Sequence, residues 1–113
     1  MPARTHAGPK GLCRLLVRKS ADAVHAAILV GFDGVTGWIH GLWVSREHQK
    51  RGHGRALILE AEKWLASQGA DRVHLQVRYT NLSALGFCDR VGYRFYDAVV
   101  LAKSVRPAGS QEG

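Results

Sequence analysis

The chain has 113 residues, so it holds one domain at most, and 46% hydrophobic residues suffices for a core. Its net charge of +7 suits an anionic partner without saying which one. Cys13 and Cys88 lie too far apart for a CxxC pair, and no apolar run approaches bilayer length, which argues against a disulfide scaffold, a zinc knuckle and a membrane-spanning helix. A cytoplasmic protein is the expectation.

Residues 1–11 are rich in Pro, Gly, Ala and basic side chains and are expected to form a flexible tail; residues 105–113 read the same way. Between them, residues 12–104 form the domain. Leu12–Arg18 is a strand candidate, followed by a turn at Ser20-Ala21-Asp22. Val24–Phe32 is apolar almost throughout, the pattern of a strand covered on both faces. Asp33-Gly34 is a turn signal, and Gly37–Ser45 is a third strand, so the chain starts as an antiparallel meander.

Gly54–Gln68 has helical periodicity, with Leu57, Ala61, Trp64 and Leu65 on one face and Gly69 as a stop. Arg72–Arg78 alternates as a strand, with His74 and Gln76 on one face. Leu82–Val91 is a shorter helix ending at Gly92, and Tyr93–Phe95 and Asp97–Lys103 are expected as closing strands. The fold class is α/β: a mixed sheet, antiparallel first and then a parallel strand–helix–strand crossover.

The stretch Gln49-Lys50-Arg51-Gly52-His53-Gly54-Arg55 lies between a strand and a helix start. Free N–H groups of a first helical turn, glycines that admit close approach, and flanking cations together favour an anion. The third position of a GxGxxG fingerprint is Leu57, and no Gly-Lys-Ser/Thr follows, so neither dinucleotide nor P-loop motifs match. A plain basic turn is the competing reading. The six histidines form no HExxH and no compact ligand set, so no metal is expected. Trp38, Trp43 and Trp64 read as core or pocket wall.

Gln49-x-x-Gly52-x-Gly54 resembles the Q/R-x-x-G-x-G/A signature of the GCN5-related N-acetyltransferases, the GNAT family. Asn81-x-x-Ala84-x-x-Phe87-Cys88-x-x-x-Gly92-Tyr93 is similar to a second element of that family. The resemblance covers residues 12–103 and is nearest to small bacterial members of undefined substrate. It implies acetyl-CoA as cosubstrate, with the pyrophosphate on the N–H groups of Lys50, Arg51, Gly52, His53, Gly54 and Arg55. It places the pantetheine arm along Leu42, Trp43 and Val44, where two parallel strands splay, and Asn81 against the cofactor. A backbone N–H near Trp43 or Val44 would face the thioester oxygen. The acceptor would be a primary amine, on a small molecule or a peptide, attacking the thioester directly.

Two positions depart from the family. Cys88 stands where many members have a tyrosine acid, and Gln76 stands where one branch has a glutamate base. A thiolate with pKa near about 8.5 leaves without an acid, and a cysteine of similar pKa can protonate it. His74 is the alternative base, since an imidazole titrates near about 6.5. Cys88 and His74 are thus the catalytic candidates, each balanced against a packing role. The usual strand and helices before the first strand are also missing from this reading. Either the acceptor side is open, a second copy of the chain walls it, or the chain is a shortened form. Two other functions remain: a non-catalytic acyl-CoA-binding module, and a basic nucleic-acid binder, for which no recognition signature is present.

Overall fold

The computed structural model describes residues 3–7, 12–21 and 23–106. Five strands form one sheet in the order β1-β2-β3-β4-β5: β1 (Ala3–Ala7), β2 (Leu12–Ser20), β3 (Ala23–Phe32), β4 (Gly37–Val44) and β5 (Val73–Leu75). The first four pair antiparallel and β4 pairs parallel with β5, as the meander and crossover expectations require. A 3-10 turn (Arg46–His48) and helix α1 (His53–Gln68) connect β4 to β5, and helix α2 (Leu82–Arg90) follows.

The core lies between α1 and one face of the sheet. Ala26, Ile28 and Val30 of β3 and Leu57, Ile58 and Ala61 of α1 are buried together with Leu16 and Ile39. Burying a large apolar side chain contributes about 1.5–3 kcal/mol, so Ile28, Leu57, Ile58 and Leu65, all fully buried, dominate this interface. Gly37 makes room for it: a Cβ there would meet Leu65 Cδ1 at 2.8 Å. The helix face differs from its expected composition by one residue. Ile58 is buried, while Trp64 is only half-buried, with the Arg14 guanidinium over its ring 4.7 Å from the centroid.

Several expectations are corrected. Residues 1–11 are not wholly a tail, since Ala3–Ala7 pairs with β2 from Ala3↔Leu16 to Ala7↔Leu12; pairing with an edge strand satisfies its backbone. The strand β3 is covered on one face only: its burial alternates, and Leu29 is exposed. The strand expected at Arg72–Arg78 shrinks to Val73–Leu75, because its pairing with β4 ends at Ile39↔Leu75 and the later residues have no strand partner. No closing strand forms at Tyr93–Phe95 or Asp97–Lys103 among the described residues. This segment is irregular and exposed, with Phe95 at 94% and Leu101 at 88%: its alternation found no paired neighbour. Asp22 and residues 107–113, the latter expected as tail, lie outside the described residues.

Candidate cofactor site

Two bulges shape the end of the sheet nearest the α1 N-terminus. In β3, Arg18 pairs with Ala26 and Lys19 with Val24, leaving His25 as the extra residue. In β4, Val30 pairs with Ile39 and Leu29 with Gly41, leaving His40 extra. A bulge re-aims the residues beyond it. Without the second bulge, Gly37, Ile39, Leu42 and Val44 could not share one face, since strand side chains alternate. With it, Leu42 pairs with buried Ile28 and Val44 with buried Ala26, on the α1 side.

The same bulge reverses the backbone donors. The Gly37 N–H donates to the Arg72 carbonyl beside β5 (2.9 Å), whereas the Ser45 N–H donates to the His25 carbonyl of β3 (2.8 Å). Residues an even number apart on a regular strand point the same way, so the strand has shifted phase between them. Beyond His40, alternation turns the Leu42 and Val44 N–H groups toward the side that β5 has left. The β4–β5 pairing ends at Ile39↔Leu75, so the two parallel strands splay from there on.

Leaving β4, the chain is tied back by one side chain: Gln49 Nε2 donates to the Val44 carbonyl (3.2 Å). Lys50 (φ 65°) and Gly52 (φ 86°) then take left-handed conformations, which fold the turn over the helix start. Gly52 is the N-cap and supplies no side-chain cap; its carbonyl receives the Ala56 N–H (3.0 Å), the first bond of the helix. The N–H groups of His53, Gly54 and Arg55 precede that bond and so have no carbonyl of the helix to meet. No acidic residue sits in this first turn, while Lys50, Arg51 and Arg55 are exposed around it. Gly54 is where the elements meet most closely: a Cβ would lie 3.3 Å from Phe87 Cζ and 3.5 Å from Leu42 Cδ2. The splayed strand, the turn and α2 therefore converge at one point.

Asn81 is the N-cap of α2. Its Oδ1 accepts the Ala84 N–H (3.1 Å), which leaves its amide N–H groups for other partners. Cys88 and His74 lie elsewhere. Both line an open cavity of ≈ 1040 Å³ along the outer edge of β5, whose walls include Glu62, Tyr93 and Tyr96 but none of the turn residues 49–55. Burial pushes the Cys88 thiol up from its ordinary range. His74 packs between the rings of Trp38 (4.9 Å) and Tyr96 (4.7 Å), and its Nε2 is buried without a partner. Gln76 is exposed one residue past β5.

His25, His48 and Arg18, which sequence reading missed, cluster with His53 under the turn. His25 stacks on His48 with ring centroids 3.7 Å apart, and His53 lies 5.9 and 5.8 Å from them. Arg18 Nε donates to His53 Nδ1 (3.0 Å). Partial desolvation first, then Arg18 and the neighbouring imidazoles, hold His53 below the usual histidine range. No sequence pattern signals this cluster, because a bulge, not a periodicity, brings His25 into it.

The pattern that defines the acetyltransferase (GNAT) family matches residues 7–93. The chain belongs to the GNAT family. Among its relatives, this GNAT chain is 30% identical over 88 residues to an acetyltransferase of Yersinia enterocolitica and 31% identical to one of Pectobacterium atrosepticum. Each alignment covers 78% of the chain and 62% of the relative, so the chain spans a little over three-fifths of their length. In solved structures the same GNAT fold recurs in AAC(6')-Iy bound to a bisubstrate analogue, CoA-S-monomethyl-acetylneamine, with TM-score 0.71 and 12% identity over 86% of this chain and 71% of that one. An aminoglycoside acetyltransferase from an uncultured soil sample, in complex with sisomicin, gives TM-score 0.71 at 16% identity over 88% of this chain and 68% of that one.

Proposed function

We propose that this chain is an acetyl-CoA-dependent N-acetyltransferase that passes an acetyl group directly to a primary amine. The observation that carries the reading is the Gln49–Arg55 turn: unbonded N–H groups, a positive-φ glycine cap and three cations, tied by Gln49 to the strand that splays from β5. A pyrophosphate matches that donor set in charge and in geometry. Leu42, Trp43 and Val44 then flank the pantetheine arm. The donors turned to the open side are those of Leu42 and Val44, which favours Val44 over Trp43 as the oxyanion partner.

Acetyl transfer needs the amine nitrogen to bond to the thioester carbon while the C–S bond breaks. The ammonium must first lose a proton, and the departing sulfur must end with one. With its pKa raised, Cys88 holds a proton at neutral pH and suits the acid role. His74 is hemmed in by two rings and suits a packing role better, so a water relay is the favoured base. The relatives' names support acetyl transfer, and the bisubstrate analogue and sisomicin bound by fold neighbours support amine acceptors. No described helix is long and apolar enough to cross a membrane.

Calorimetric titration of acetyl-CoA tests the turn. The wild type should bind and a Gly52→Glu/Gly54→Glu variant should not; equal binding by both would refute the proposal. A second reading, an acyl-CoA-binding module without turnover, draws support from Gln76 and Cys88 at the acid–base positions. Release of free CoA with any amine of a broad panel separates the two.

A further inference from the structure

The histidine cluster plays no part in the chemistry above. Its members come from three elements: His25 from the β3 bulge, His48 from the 3-10 turn and His53 from the first position of α1. A fourth element, β2, sends Arg18 to His53 Nδ1. Ser45 Oγ lies 2.6 Å from His48 Nδ1, fixing that ring, and His25 Nδ1 is buried without a partner. Among the described residues no group of three or more His, Cys, Asp or Glu side chains is arranged to hold a metal ion. The groups whose charges act on His53 are Arg18, Arg51 and the other two imidazoles, all cations when charged. The positive end of α1 adds to them. In the free protein every one of these neighbours opposes a proton on His53, and what that ring lacks is a counter-charge.

We infer that His25, His48 and His53 form a proton-linked wall of the anion site, so that a pyrophosphate seated on the turn is bound together with a proton taken from solvent. This rests on the acetyl-CoA reading and adds its pH response. The anion favours the imidazolium form of a neighbouring ring, and by reciprocity the imidazolium favours the anion. Two rings stacked at 3.7 Å do not both charge without repulsion, so the uptake is at most about one proton. No covalent step is involved.

The probe is 3′-dephospho-CoA, because the 3′-phosphate of CoA titrates near pH ~6 and would mask the effect. Calorimetry in two buffers of different ionisation heat counts the protons exchanged. The wild type should take up protons near pH ~6.5 and none near pH ~8, and should bind about fivefold more tightly at the lower end. His25→Gln and His48→Gln should each bind like wild type near pH ~8 with a weakened pH dependence, and the double variant, which keeps only His53, should show the weakest. Tight binding with no proton uptake overturns this inference and leaves the cofactor reading standing. So does a pH dependence that persists undiminished in every folded variant. No binding by the wild type at any pH overturns both.

Discussion

The Tyr93 hydroxyl donates to Glu62 Oε2 at 2.6 Å, joining the chain that leaves α2 to the middle of α1. Burial and then this bond raise the Tyr93 pKa far above its ordinary value of 10.0. A hydrogen bond to a charged acceptor contributes about 1.5–3 kcal/mol, and half-exposure puts this one at the lower end. Tyr93→Phe should therefore lower the unfolding free energy by about 1.5 kcal/mol in urea titration. Since the folded pKa is raised, the contribution is complete below about pH 10 and is lost as pH rises above it. The variant and wild type should converge in stability on the alkaline side.

Gly52 and Gly54 should respond differently to alanine. At Gly52, φ is 86° with nothing within 4 Å of an added Cβ, so the cost is backbone strain of about 1 kcal/mol. At Gly54 the alanine gains helix propensity of about 1 kcal/mol but must push Phe87 by a few tenths of an ångström. Gly52→Ala should lower the melting temperature, and Gly54→Ala should leave it nearly unchanged. Thermal unfolding of both compares them directly.

Asp33 organises the β3–β4 hairpin. Its Oδ1 accepts the N–H groups of Val35 (2.9 Å) and Thr36 (2.7 Å), and its Oδ2 accepts Trp38 Nε1 (3.1 Å). The Thr36 N–H, followed by those of Val35 and Trp38, holds its carboxyl below 3.8. A lowered folded pKa gives stability that is present above the unfolded value and lost as pH falls through the folded one. Asp33→Ala should be less stable at neutral pH, and its acid-side decline should be shallower than that of wild type. Urea midpoints from neutral to strongly acidic pH measure both.

Asn81 has two separable roles. Removing the cap with Asn81→Ala should destabilise by about 1 kcal/mol, while Asn81→Asp keeps an acceptor for the Ala84 N–H. If the Asn81 amide also faces the cofactor, Asn81→Asp should retain stability yet weaken acetyl-CoA binding by charge repulsion. Unchanged affinity in Asn81→Asp would confine Asn81 to capping.

The parts of the fold legible in the sequence are those governed by local physics. Helix α1 spans nearly its expected range because its periodicity and Gly69 are local signals, and the turn before it carries its glycines and cations in order. What stayed hidden depends on partners distant in sequence. Neither bulge leaves a mark in composition, so His25 could not be placed beside His48 and His53. Nor could the side of the sheet reached by Leu42 and Val44 be settled. The apolar run after Tyr93 has the alternation of a strand, but a strand also needs a neighbour, and none of the described residues supplies one.

His40 is worth more for its place in the count than for its side chain. It is exposed, and an exchange for most other residues should pass with little effect. Deleting it would straighten β4 and leave the alternation intact: Gly41 would follow Ile39, and Leu42 and Val44 would still face α1, with the pairings Leu29↔Gly41 and Ile28↔Leu42 unchanged. What the extra residue supplies is a local kink and added twist next to the point where β4 parts from β5. A one-residue deletion, which no library of point substitutions contains, would remove that kink alone.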